Sequence, residues 1–196
     1  MLNIQSFSEI ERDMLDHGMK LPGDRVYLAL EEPKKWLTLA FNHFLRGDDF
    51  IWLPEYEHVA DWLSGNDGRG LFLYGNCGLG KSMLCRYVLP AILLTNFRKV
   101  VSVFDMQEVN RNIDSVLAHH ILALDDVGTE ENSVKYGERR NAFSEVMDAV
   151  EKQGKLILVS TNLGEKELRD RYGDRVLDRI RSTTKRVVFT GKSLRK

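Results

Sequence analysis

The chain has little of several things, and each shortage excludes a class of protein. Among 196 residues there are only two cysteines, Cys77 and Cys85, and four prolines. Two cysteines eight apart, flanking a glycine-rich turn, build neither a disulfide framework nor a four-ligand zinc site. No stretch approaches the roughly 18 consecutive apolar residues of a membrane span. Residues 1–5 and the acidic turn at Glu9 do not read as a secretory signal. Neither sign of charge dominates: 28 Lys and Arg face 29 Asp and Glu. That balance argues against a wholesale polyanion binder, although eleven basic and only five acidic residues fall in 165–196. Such a basic tail on an acidic body marks either an anion-facing surface or a solvated helix face. These absences fit a reduced, cytoplasmic setting.

What is present is ordinary globular composition, 43% hydrophobic and 29% charged, enough for one compact core. Residues 1–65 read as helical. Trp36, Leu37, Ala40, Phe41, Phe44 and Leu45 recur at helical spacing after Pro33, and a shorter helix opens at Pro54. After Asn66-Asp67-Gly68-Arg69-Gly70, short apolar runs alternate with amphipathic helices. The expected strands are Leu71–Tyr74, Val100–Phe104, Ile121–Leu124, Leu156–Ser160 and Val187–Thr190. Helices are expected near 81–97, 106–118, 136–153 and 165–182, the third with Tyr136, Phe143, Val146, Met147 and Val150 on one face. Strands linked through helices predict an α/β, doubly wound sandwich on a five-stranded parallel sheet.

The strongest motif is Gly75-Asn76-Cys77-Gly78-Leu79-Gly80-Lys81-Ser82, a complete G-x-x-x-x-G-K-[ST] between an apolar strand and the helix that runs on through Met83. Its glycines let backbone N–H groups converge on phosphate, and the helix N-terminus adds a positive dipole end. Lys81 reaches the β- and γ-phosphates and Ser82 ligates Mg²⁺. The implied ligand is a nucleoside triphosphate. Cys77 reads as a variable loop position, with a redox role the alternative.

A second apolar strand ends in Asp125-Asp126. Magnesium takes hard oxygen ligands, so Asp125 suits the metal side, and Asp126 suits an attacking water as general base. Glu130 and Glu131 lie near enough in sequence to substitute. A third strand ends in Ser160-Thr161-Asn162. In an open α/β sheet the ligand lies beyond the carboxyl ends of the strands, which directs Thr161 and Asn162 at the γ-phosphate; a helix cap is the alternative. The run 169–181 carries Arg169, Arg171, Arg175, Arg179 and Arg181, from which one arginine offered to a neighbouring subunit's nucleotide would complete a shared site.

Together, Gly75–Ser82, Leu124–Gly128, Ser160–Leu163 and Arg175–Arg181 resemble the AAA+ ATPases of the DnaC/IstB kind, the bacterial helicase loaders and transposition helpers. The likeness covers about residues 50–196. It implies a three-layer P-loop sandwich of AAA+ type, ATP with Mg²⁺, a homo-oligomer, and as partners a replicative helicase or a transposase with single-stranded DNA. It also implies Arg179 as the arginine finger, with Arg175 second, and Arg195 near the nucleotide phosphates. Two departures stand out: residues 1–50 hold no cysteine for a zinc domain, and the segment 107–120, where relatives insert a DNA-contacting helix, is short. Lys99, Arg111 and the tail are the basic residues left for DNA. Tyr56 or its neighbours are candidates to stack on the base.

The expected organisation is a helical extension, residues 1–50, packed on an ATPase domain, residues 51–196. The expected activity is slow ATP hydrolysis that remodels or loads a partner protein on DNA. Two rivals remain at the level of sequence: a nucleotide-gated adaptor that hardly hydrolyses, since many relatives carry Glu where Asp126 stands, and a small-molecule kinase.

Overall fold

A computed structural model describes residues 6–195 except 20, 22, 48, 131, 132, 136 and 137. Residues 1–5, Asp48, Glu131 and Tyr136, on which parts of the sequence reading fall, therefore lie outside the described residues.

The sheet is five-stranded and wholly parallel. Its strands are β1 (Gly70–Gly75), β2 (Ser102–Asp105), β3 (Ile121–Val127), β6 (Leu156–Thr161) and β7 (Thr184–Phe189), in the order β2-β3-β6-β1-β7. A separate antiparallel hairpin, β4 (Ser133–Lys135) and β5 (Glu138–Arg140), follows β3. Alternation along β1 explains the layers. Leu71 and Leu73 enter a core with α2 (Pro33–Leu45), α3 (Glu55–Ser64) and α5 (Leu89–Phe97), whereas Phe72 enters another on the opposite face. That second core takes apolar residues from α6 (Met106–Val109), α7 (Ile113–Leu117), α8 (Ala142–Gln153), α9 (Glu165–Tyr172) and α10 (Asp174–Thr183).

Several boundaries differ from the sequence pattern, each for a local reason. The helix expected at 106–118 is two short pieces separated by Asn110–Asn112. The one expected at 165–182 breaks at Gly173, whose φ of +81° is left-handed and favours glycine. The one expected from 136 begins at Ala142, where Asn141 caps it by accepting the Ser144 N–H at 3.1 Å. Strand β7 starts at Thr184, three residues early, because Lys185 and Arg186 disguise it. Charges of this kind are common on edge strands, which they guard against further pairing.

The helical reading of 1–65 holds for α1 (Phe7–Asp16), α2 and α3 but fails between them. Residues 23–30 are extended, burying Val26, Leu28 and Leu30 with a period of two. Asn66 anchors this segment. Fully buried, it accepts the Leu28 N–H at 2.8 Å and donates to the carbonyls of Val26 and Arg69 at 2.9 and 3.0 Å. Replacing it leaves buried backbone groups unpaired. Asn66→Ala is expected to lower the unfolding free energy by about 3 kcal/mol, read as a shifted urea midpoint at unchanged slope.

Candidate nucleotide site

The loop between β1 and α4 (Lys81–Met83) bends on three glycines with positive φ: Gly75 at +106°, Gly78 at +74° and Gly80 at +83°. A Cβ on Gly78 would stand 2.1 Å from Ser193 Oγ, so the C-terminal tail lies directly on the loop. The tail is tied there by Asn76, whose amide donates to the carbonyls of Thr190 and Gly191 at 3.0 and 3.1 Å. The Leu194 N–H adds a bond to the Gly78 carbonyl at 2.9 Å. From the other side the buried Tyr56 donates its hydroxyl to the Leu79 carbonyl at 3.1 Å.

The Lys81 side chain folds back over the loop. Its ammonium donates to Gly75 O at 2.9 Å, Asn76 O at 2.5 Å and Asn162 Oδ1 at 3.0 Å. Burial pushes its pKa down, partly offset by the Cys77, Asp126 and Asp125 charges.

The carboxylate pair sits where β3 loses register with β6, between Leu124 and Val127. Asp126 takes a left-handed φ of +55° there, a conformation tolerated by Asp more than by most residues. Ser160 on β6 locks the pair: its hydroxyl donates to Asp125 Oδ1 and accepts the Asp126 N–H at 3.1 Å. Asp125 Oδ2 meets Arg86 Nη1 at 3.3 Å. Arg86 lies in a π-helical turn, Leu84–Val88, that joins α4 to α5. Burial, then the neighbouring Asp125 and Asp105, raise the Asp126 pKa.

These parts surround one cavity of 810 Å³ at the carboxyl ends of β1, β3 and β6. Cys77, Gly78, Gly80, Lys81, Ser82, Met83, Asp126, Asn162 and Arg195 line it, beside Phe41, Phe50, Tyr56, Arg86 and Tyr87. Other predicted residues lie elsewhere. Gly75, Asn76 and Leu79 meet Lys81, the tail and Tyr56 through their polar atoms, and Asp125 is buried behind the wall. Arg179 is remote from these contacts: buried, it is ion-paired to Asp148 at 2.6 Å and Glu151 at 3.0 Å on α8. Arg175 is exposed.

Two expectations need correction. Thr161 does not face the cavity; it is buried and donates to the Val127 carbonyl at 2.5 Å. Glu130 is no substitute base, because Tyr172 and the Gly128 N–H occupy its two oxygens. The basic tail, left open between an anion-facing surface and a solvated face, is paired in part: Arg169 with Asp174, Arg171 with Glu130, Arg181 and Arg186 with Glu165, and Lys185 with Asp67. Sequence reasoning missed Arg86, Asp105 and Ser160. A carboxylate closing β2 level with Asp125, and a basic residue five after Lys81, were the available signals.

The donor set suits a nucleoside triphosphate with magnesium. A positive-φ glycine loop makes a concavity for anions, Lys81 supplies a cation, and the Ser82 hydroxyl and Asp125 carboxylate are hard oxygens.

No family model and no curated protein matches this chain. Solved structures do. The DnaC helicase loader is similar with a TM-score of 0.51 at 19% identity, over 84% of this chain and 94% of that one. The likeness is one of fold, a five-stranded parallel sheet with helices on both faces. DnaI is similar at 0.50 and 16%, over 82% and 87% of the two chains. AMPPCP-bound DnaA from Aquifex aeolicus is similar at 0.51 and 16%, over 71% of this chain and 48% of that one. Among the described residues no helix is long and apolar enough to cross a membrane.

The raised Asp126 pKa has a consequence for stability. A carboxyl whose pKa is higher folded than unfolded stabilises the fold while protonated, and that contribution is lost as pH rises through the folded value. Asp126→Asn, which is neutral and tolerates positive φ, is therefore expected to raise Tm at pH 7 and to change it less at pH 4. A larger gain at pH 4 would contradict the assignment; thermal unfolding followed by circular dichroism at both pH values decides.

Proposed function

We propose that this protein binds ATP with Mg²⁺ and hydrolyses it slowly, as an AAA+ ATPase of the helicase-loader or transposition-helper kind. The observation that carries the reading is the convergence of Lys81, Ser82, Asp126, Asn162 and Arg195, from four separate segments, on one cavity. In this reading the loop amides, Lys81 and Arg195 hold the phosphates, and Ser82 and Asp125 hold the metal. Bound magnesium supplies charge neutralisation on the phosphates.

Asp126 accepts the proton of the attacking water, and Asn162 orients that water while keeping Lys81 in place. Water oxygen bonds to the γ-phosphorus, the β–γ bridging oxygen leaves with ADP, and the proton passes to the Asp126 carboxylate. Its pKa, raised by burial and neighbouring charge, favours holding that proton.

The arginine completing the site across a subunit interface is assigned here to Arg175 rather than Arg179. Arg175 is exposed one turn earlier, whereas two carboxylates of its own chain hold Arg179. A homo-oligomer, a replicative helicase or transposase as client, and single-stranded DNA reached by exposed Lys99 and Arg111 belong to the same proposal. The likeness to the DnaC helicase loader supports its fold-level part. Residues 1–50 are proposed as an extension packed on the ATPase domain, 51–196; Leu37 and Phe41 of α2 already share a core with β1.

Steady-state phosphate release across protein concentration tests this. Turnover per chain is expected to rise with concentration, to fall by at least about a hundredfold in Asp126→Asn, and to collapse in Arg175→Ala at unchanged Tm. Arg179→Ala should instead lower Tm, because it leaves Glu151 unpaired and Asp148 with Lys152 alone. Tight ATP binding with negligible turnover, unaltered by Asp126→Asn, would replace the enzyme with a nucleotide-gated adaptor.

A further inference from the structure

Asp125 is the carboxylate that the proposed function gives to the metal, yet it does not line the cavity; Arg86 does. One oxygen of Asp125 is taken by Ser160 and the other faces Arg86 Nη1 at 3.3 Å. The same nitrogen lies 3.7 Å from Asp105 Oδ2, and Asp105 stands level with Asp125 across the β2–β3 ladder. Arg86 therefore stands between Asp125 and the cavity, with a second carboxylate already beside it. Its side chain is one-third exposed, so it has room to move. Its place in a π-helical turn is a further mark, since such turns are concentrated at functional sites.

We propose that Arg86 is a cationic gate on Asp125. Without metal it neutralises the Asp105–Asp125 pair; when the cation is held, Arg86 shifts its contact to Asp105 and releases Asp125 Oδ2. Arg86 is thus a positioning residue that sets how much Mg²⁺ the site requires. The proposal rests on the nucleotide reading above and concerns how the metal side of that site is controlled.

Two carboxylates sharing one guanidinium make the exchange inexpensive. Nη1 makes both contacts in the structure, and the planar guanidinium carries a second Nη to hold Asp105 as Nη1 leaves Asp125, whereas a lysine is a single point charge on a flexible stem. Asp105 is otherwise fixed, since its other oxygen caps α6 by accepting the Gln107 N–H at 2.9 Å.

The test is calorimetric titration of ATP in EDTA and over a Mg²⁺ series, with wild type, Arg86→Ala, Arg86→Lys and Asp105→Asn. Removing the competing cation is expected to lower the half-saturating Mg²⁺ about tenfold, a typical coupling between two sites. Arg86→Lys should move toward the Ala value, because it keeps the charge but not the fork. Asp105→Asn, which still caps α6, should raise the Mg²⁺ requirement by holding Arg86 on Asp125. An unchanged Mg²⁺ requirement in Arg86→Ala, or a wild-type value in Arg86→Lys, overturns the gate.

Thermal unfolding with Mg²⁺ alone separates this idea from the nucleotide reading. Arg86→Ala should gain a Mg²⁺-dependent rise in Tm larger than that of wild type, whether or not ATP binds. Absence of that gain counts against the gate, whereas failure of wild type to bind ATP with Mg²⁺ counts against the nucleotide reading alone.

Discussion

The hydroxyl of Ser160 holds the chemistry of this molecule in place. It joins the end of β6 to the end of β3 by donating to the Asp125 carboxylate and accepting the Asp126 N–H. Two strands are thereby fastened where their ladder slips register, and the slip turns Asp126 toward the cavity while Asp125 stays behind it. A left-handed Asp126 costs on the order of 1–3 kcal/mol and persists only where surroundings enforce it. Ser160 and the flanking buried strands provide that enforcement.

Around this fastening the phosphate loop is held from two directions. Tyr56 in α3 grips the Leu79 carbonyl, and the chain end reaches the loop through Asn76 and Gly78. Residues more than a hundred apart in sequence thus define one loop conformation. Charge is distributed just as locally. Most arginines of the C-terminal third face carboxylates of the same chain, whereas Arg175 and Arg195, with Lys155, Lys166 and Lys192, stand outside the ion pairs seen among the described residues. Charge counting by segment cannot see this, because it sums what the fold pairs off.

Much of the architecture was legible in sequence where physics is local. Short apolar runs marked the strands, and the glycine loop with its lysine marked the cavity. Legibility failed where a decision depends on distant partners. Val26, Leu28 and Leu30 bury alternate side chains because Asn66 holds the backbone of the first two and the Leu63 carbonyl that of the third, not because of their own propensity. Thr161 turns inward to the Val127 carbonyl although it is adjacent to the cavity-facing Asn162. Arg86 reads as ordinary helix surface until β2 and β3 bring two carboxylates to its side. The arginines of α10 share one helix, but α8 decides which of them is exposed.

The central claim is that this loop and its lysine hold the phosphates of a nucleotide. Calorimetric titration of ATP with Mg²⁺ into wild type and Lys81→Ala tests it most directly. The account predicts one ATP per chain for wild type and an affinity at least about tenfold weaker for the variant, the scale of one lost charge-assisted hydrogen bond. Equal affinity in the two proteins, or no ATP bound by wild type, would contradict it.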